Sequence, residues 1–120
     1  ADNNFIILRY ADVLLMLTEA TGNPQYLNEV RDRVNLPHYG EAGYPSQFNT
    51  VDLACEHERQ VEFAMEFHRW FDLIRTGRAI TVLKNSFKNI TLDAEQLLLP
   101  IPLDVISQNP TVIVQNEAYK

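Results

Sequence analysis

Glycine is scarce in this chain, at four in 120 residues. A phosphate-cradling Gly-rich loop has little material to form from, and neither that loop nor a Gly-x-Ser-x-Gly turn occurs. Cysteine is scarcer still. Cys55 stands alone, which excludes an internal disulfide, and no Cys or His lies at metal-ligand spacing from it. Inside an apolar helical pattern it reads as a small buried hydrophobe. No run of about 18 apolar residues exists, which excludes a bilayer-spanning helix. The longest apolar stretch, 5–17, is interrupted by Arg9 and Asp12. The basic residues are scattered and form no patch, which argues against nucleic acid as a partner. No signal peptide opens the chain. Because the chain starts almost inside its first helix, that absence carries little weight, and the chain is expected to be a fragment of a longer protein.

What is present is ordinary for a globular domain: 46% hydrophobic residues, 22% charged residues and a net charge of −6. The length suits one domain with one core, so residues 1–120 are expected to form a single unit. Apolar residues fill most of the circumference of a helix over 5–21, with Arg9, Asp12 and Glu19 on one narrow stripe. Such a helix is packed on most sides. Gly22 and Asn23 stop it, and Pro24 suits the first turn of a second helix over 24–34. So short a turn makes the two antiparallel neighbours, a pair the size of one tetratricopeptide unit.

Residues 38–49 form a loop, punctuated by Gly40, Gly43 and Pro45. Thr50 is the expected N-cap of a third helix over 51–67. A fourth runs over 68–76 and ends at Gly77. The β-branched segment 79–83 suits strand or helix, and helix is the assignment taken. Pro100, Pro102 and Pro110 rule out a long helix in the last 30 residues. Pro102 opens one short turn through Ser107, and the rest is expected as an extended tail. The fold class is therefore mainly α: tetratricopeptide-like antiparallel helical pairs with an extended Pro-rich C-terminal tail.

Glu58, Glu62 and Glu66 are four residues apart on the third helix and share one face. Stacked like charges need compensation. One source is a metal or a carboxylate pair engaged in acid–base catalysis. The other is arginine. Arg59 lies three before Glu62 and Arg69 three after Glu66, and Arg9, Arg31, Arg33 and Arg75 are also at hand. The metal motifs fail on spacing. His57-Glu58 needs a second His at 61, where Val61 stands. The Glu-x-x-His signature fails because Arg69 follows Glu66 at that position and Met65 precedes His68. The reading taken is no catalytic set, no metal and no cofactor, with Arg59, Glu62, Glu66, Arg69, Asp72 and Arg75 as a structural ion-pair network across the junction of helices three and four. Phe63, Phe67, Trp70 and Phe71 recur near helical spacing and read as core. Tyr39 and Tyr44 sit in the polar loop, where a flat ring with a polar tip suits sugar stacking or an interface. They are the two ligand-binding candidates, and pinning of the loop to the core is the competing reading. Asn89-Ile-Thr91 is a formal glycosylation sequon and carries no weight here.

Four blocks in this order resemble the C-terminal region of the SusD/RagB family. The first is Arg9-Tyr10-Ala11-Asp12-Val13-Leu14-Leu15-Met16, followed by Glu19-Ala20. The second is Val30-Arg31-Asp32-Arg33. The third runs from Glu58-Arg59-Gln60-Val61-Glu62-Phe63-Ala64-Met65-Glu66 into His68-Arg69-Trp70-Phe71-Asp72-Leu73-Ile74-Arg75-Thr76-Gly77. The fourth is Leu99-Pro100-Ile101-Pro102, then Asn109-Pro110, Gln115-Asn116 and Tyr119. Two departures stand out. Phe67 occupies a position where the family commonly has Gly, which bears on the bend between helices three and four. Glu117-Ala118 stands in place of Pro-Gly, which bears on the final turn.

The resemblance implies a scaffold segment of a non-catalytic cell-surface nutrient-binding lipoprotein in Bacteroidota. Such proteins sit on the outer face of the outer membrane, cap a TonB-dependent (SusC-like) transporter and pass glycans or peptides to it. It also implies that the lipidated cysteine lies upstream, since Cys55 does not match it, and that most ligand-contacting aromatics lie upstream too. No binding residue is transferred. Two other readings stay open: a helical-repeat module that grips a peptide, and a carboxylate-dependent hydrolase. The hydrolase predicts Glu62 and Glu66 lining an open cleft; the scaffold predicts arginine contacts to them.

Overall fold

The computed structural model describes residues 6–86 and 92–120. The start of the first expected helix at residue 5 and the sequon 89–91 lie outside them. Among the described residues the regular structure is helical, with no strand: α1 Tyr10–Thr21, α2 Gln25–Asp32, α3 Val51–Glu62, α4 His68–Arg75, α5 Ala79–Ser86 and α6 Leu103–Gln108, with short 3-10 turns at Ala94–Leu97 and Glu117–Tyr119. The chain divides into two compact units, Ala1–Arg69 and Trp70–Lys120.

In the first unit α1 packs against both α2 and α3. Gly22 ends α1 in the left-handed conformation, φ 68°, and donates its N–H to the Thr18 carbonyl at 2.9 Å, a geometry that costs glycine nothing. Thr50 caps α3 by accepting the Leu53 N–H at 3.3 Å. The core comprises Leu14 and Leu15 of α1, Leu27 and Val30 of α2, and Ala54, Cys55 and Phe63 of the α3 segment. Leu15 and Leu27 are wholly buried, each contributing roughly 1.5–3 kcal/mol on transfer from water. The Cys55 thiol donates to the Leu15 carbonyl at 3.3 Å, as a buried hydrophobe with a weak donor does.

The helix boundaries differ from the sequence pattern at two places. Residues 6–9 are not helical, and Arg9 is extended at φ −138°, ψ 165°. Helix α3 ends at Glu62, five residues before the expected limit. The chain then turns with Met65 at φ 69° and Phe67 at φ 65°. Two left-handed residues cannot continue an α-helix, so the apolar periodicity through Phe67 runs across a break in the backbone. The Phe67 ring is exposed, while Phe63 is buried; the expected core stripe therefore divides at the turn.

In the second unit Leu73 and Ala79 are buried, and the turn at Gly77 (φ 69°) lets Arg78 donate its N–H to the Leu73 carbonyl at 2.9 Å. The ambiguous segment from Ala79 is helix α5. The proline-rich stretch is clasped by a side chain. Gln115 accepts the Ile101 N–H through Oε1 at 2.8 Å and donates Nε2 to the Ile101 carbonyl at 2.9 Å. Ile101 is the one residue between Pro100 and Pro102 that has an N–H to give. Asn116 adds a bond from Nδ2 to the Leu99 carbonyl at 2.6 Å, and Asp93 with Gln96 forms a capping box at the start of the first 3-10 turn.

Candidate functional site

The chemistry-bearing residues of the first unit converge where α1, α2 and α3 meet. Arg31 of α2 donates Nη1 to Glu58 of α3 at 2.6 Å, and Nε to the Pro37 carbonyl at 2.6 Å. Both side chains of the pair are 6% exposed. One layer along, Arg59 of α3 meets Asp12 of α1 at 2.6 Å, and these too are buried. Arg9, just before α1, reaches back to the end of α3. Its Nη1 bonds Glu62 Oε1 at 2.5 Å and its Nη2 the Glu62 carbonyl at 2.5 Å. Its Nε and Nη2 grip Glu66 in paired bonds of 3.1 and 3.0 Å. Arg33 donates a further bond to Glu62 at 2.8 Å.

Phe63 lies among these charges. The guanidinium of Arg9 sits 4.5 Å from its ring centroid and that of Arg59 5.1 Å. Cation–π attraction of this kind strengthens as the cation is desolvated. The remaining members of the predicted network pair within and between α3 and α4. Arg69 reaches Glu56 at 3.2 Å, and Arg75 reaches Asp72 at 3.0 Å within α4. Two of these partners, Asp12 and Glu56, were not among the six residues named from the sequence. Arg9 and Arg33, noted there only as available arginines, carry Glu62 and Glu66.

The electrostatics follow the geometry. The hydrogen bond from Arg9 holds the Glu66 carboxyl below the usual carboxylate range, and the same bond raises Arg9. Glu62 and Glu66 are both arginine-bound, and the lowered Glu66 is poorly suited to serve as a general acid. Glu58, Glu62 and Glu66 all belong to one segment, so no pair of them flanks a substrate-sized gap from opposite walls. Among the described residues no group of three or more His, Cys, Asp and Glu side chains is placed to hold a metal ion.

The tyrosine loop is tied to the same core. Tyr39 and Tyr44 meet edge to face, ring centroids 5.4 Å apart. The Tyr39 hydroxyl donates to the Asn49 carbonyl at 2.9 Å, and its N–H is held by Asn28 Oδ1. Arg31 lies over the Tyr44 ring at 4.8 Å. Both rings are half-buried against the core, and burial pushes the Tyr44 hydroxyl up from its ordinary value. Each ring thus has a face or edge already occupied. Phe48 stacks on His57 at 3.9 Å and 13°, and burial lowers the His57 pKa. His38 does the reverse: its bond to Asp32 at 2.6 Å raises it. The two histidine environments were not legible in the sequence, because neither partner lies at a helical spacing from its histidine.

The helices and the buried arginine–carboxylate layers define a braced helical scaffold. A sequence profile described as the SusD family matches residues 1–119, and the chain belongs to that family. It is similar to SusD-like protein P38 of Formosa agariphila, at 31% identity over 130 residues that cover 98% of this chain and 25% of that protein. It is similar also to SusD-like protein P2 of the same organism, at 28% identity over 136 residues covering 99% and 26%. Among solved structures it is similar to Surface glycan-binding protein A from Bacteroides thetaiotaomicron, with a TM-score of 0.73 and 32% identity over 97% of this chain and 25% of that one. The chain therefore spans about a quarter of the length of these relatives.

Proposed function

We propose that residues 1–120 are the C-terminal scaffold segment of a longer, non-catalytic, cell-surface glycan-binding lipoprotein that works beside a TonB-dependent (SusC-like) outer-membrane transporter. The observation that carries this reading is the likeness to Surface glycan-binding protein A across 97% of the chain. The arginine contacts to Glu62 and Glu66 support binding over hydrolysis, since they occupy the carboxylates a hydrolase would need open. Among the described residues no helix is long and apolar enough to cross a membrane, and Cys55 is buried in the core. Attachment to the membrane is assigned to a lipidated cysteine upstream. The glycan, or another nutrient such as a peptide, is held mainly by residues outside this chain, while Tyr39 and Tyr44 serve the loop that braces the core.

The test is isothermal titration of the full polypeptide against a panel of oligosaccharides, with a reducing-sugar assay alongside. Saturable binding without release of sugar is expected, unchanged in Tyr44→Ala. Release that disappears in Glu62→Gln overturns the non-catalytic reading. Loss of binding in Tyr44→Ala moves the ligand site into this segment.

A further inference from the structure

Helix α1 carries two apolar faces, and among the described residues only one of them is buried against the core. Leu14, Leu15 and Thr18 face the core. The helix's two acidic residues, Asp12 and Glu19, fall together on one edge by the 100° turn per residue. That leaves a third sector occupied by Tyr10, Val13, Met16, Leu17 and Ala20, with no charge in it. The larger side chains there are in water: Tyr10 is 67% exposed, Met16 42% and Leu17 38%. The extended residues 6–8, which precede Arg9, are each more than half exposed as well. An exposed apolar sector that carries no charge along the helix marks an interaction surface.

We infer that this strip is the docking face for an apolar helix contributed by the rest of the same polypeptide. The inference rests on the reading that the chain is part of a longer protein. Relatives that match nearly the whole chain are about four times its length. The missing partner is then tethered, and a tethered partner outcompetes a second copy in solution through its effective concentration. The absence of charge in the sector fits a helix–helix seam, where an unpaired charge would be costly. Tyr10 sits at the rim with its hydroxyl donating to Glu29 at 3.1 Å, which leaves the ring available for packing with its polar tip already satisfied.

The experiment places a cysteine at Leu17, and separately at Val13, in the full polypeptide, with Gln25→Cys on the exposed side of α2 as reference. Thiol labelling is followed by mass spectrometry across a range of protein concentrations. Cys55 is buried and serves as an internal blank. Labelling at positions 13 and 17 is expected to be about 100-fold slower than at position 25, because it requires local opening, and to be independent of concentration. Labelling as fast as at position 25 overturns the inference while leaving the longer-protein reading intact. Protection that appears only as concentration rises identifies a second copy as the occupant and also overturns it. An intact mass of 13.8 kDa for the native product removes the longer polypeptide and the inference with it.

Discussion

Arg31 and Glu58 meet at 2.6 Å, 27 positions apart, with both side chains almost wholly withdrawn from water. Neither charge is tolerable alone at that depth. Arg31→Met therefore leaves Glu58 and the Pro37 carbonyl without their donor, and is expected to lower unfolding stability by about 3–5 kcal/mol. The double variant Arg31→Met with Glu58→Leu removes both charges and is expected to recover much of that loss. Urea unfolding of the three proteins checks it. A single variant within about 0.5 kcal/mol of the parent contradicts a buried pair.

Phe67 is the residue the backbone suits least. It is held at φ 65° with its ring 77% exposed, so the side chain returns little packing for a conformation that costs a non-glycine residue about 1–2 kcal/mol. Phe67→Gly is expected to raise the unfolding free energy by about 1 kcal/mol after the entropy of glycine in the unfolded chain is offset, and the midpoint with it. A fall in the midpoint shows that the ring is packed in solution.

His57 and His38 act on opposite sides of neutrality. His57 has its folded pKa depressed by burial. Its contribution is therefore whole above the unfolded value of about 6.5 and is lost as pH falls below it. His38 has its folded pKa raised by Asp32. Its contribution is whole below about 6.5 and is lost as pH rises through the folded value. Stability measured against pH should fall less steeply below 6.5 in His57→Phe, which keeps a ring against Phe48. His38→Gln should flatten the decline on the alkaline side. An unchanged acid limb in His57→Phe refutes the first assignment.

Gln115 supplies the proline-rich segment with a backbone partner that no strand provides, through both of its amide atoms. Gln115→Ala is expected to cost about 1 kcal/mol, as a partly exposed pair of hydrogen bonds does. The loss should show in hydrogen exchange as faster exchange of the Ile101 amide, with the amides of α1 and α3 unaffected. Uniform acceleration across both units, or none at Ile101, counts against the clasp.

Several elements were legible in the sequence because they depend on neighbours within a turn. The apolar period of three and four residues marks α1 and α3, Thr50 announces its own cap, and Gly22 and Gly77 announce the left-handed ends. The order of the four blocks likewise marked the family, and the profile match over residues 1–119 establishes it. The end of α3 was not legible. Met65 and Phe67 are ordinary helix residues by pattern, the glycine common in the family at Phe67 was the one sign of a bend, and both residues take positive φ.

Charge partners show the same division. Sequence spacing offers Arg59 to Glu62 at a distance of three positions, an exchange worth a few tenths of a kcal/mol in water. The fold instead turns Arg59 to Asp12, 47 positions away, and gives Glu62 to Arg9, 53 positions away. The residue types and the need for arginine were fixed by composition and helical spacing. The pairing was decided by burial: once α1 lies against α3, Asp12 is sealed from water, and an unpaired buried carboxylate costs far more than a surface pair returns.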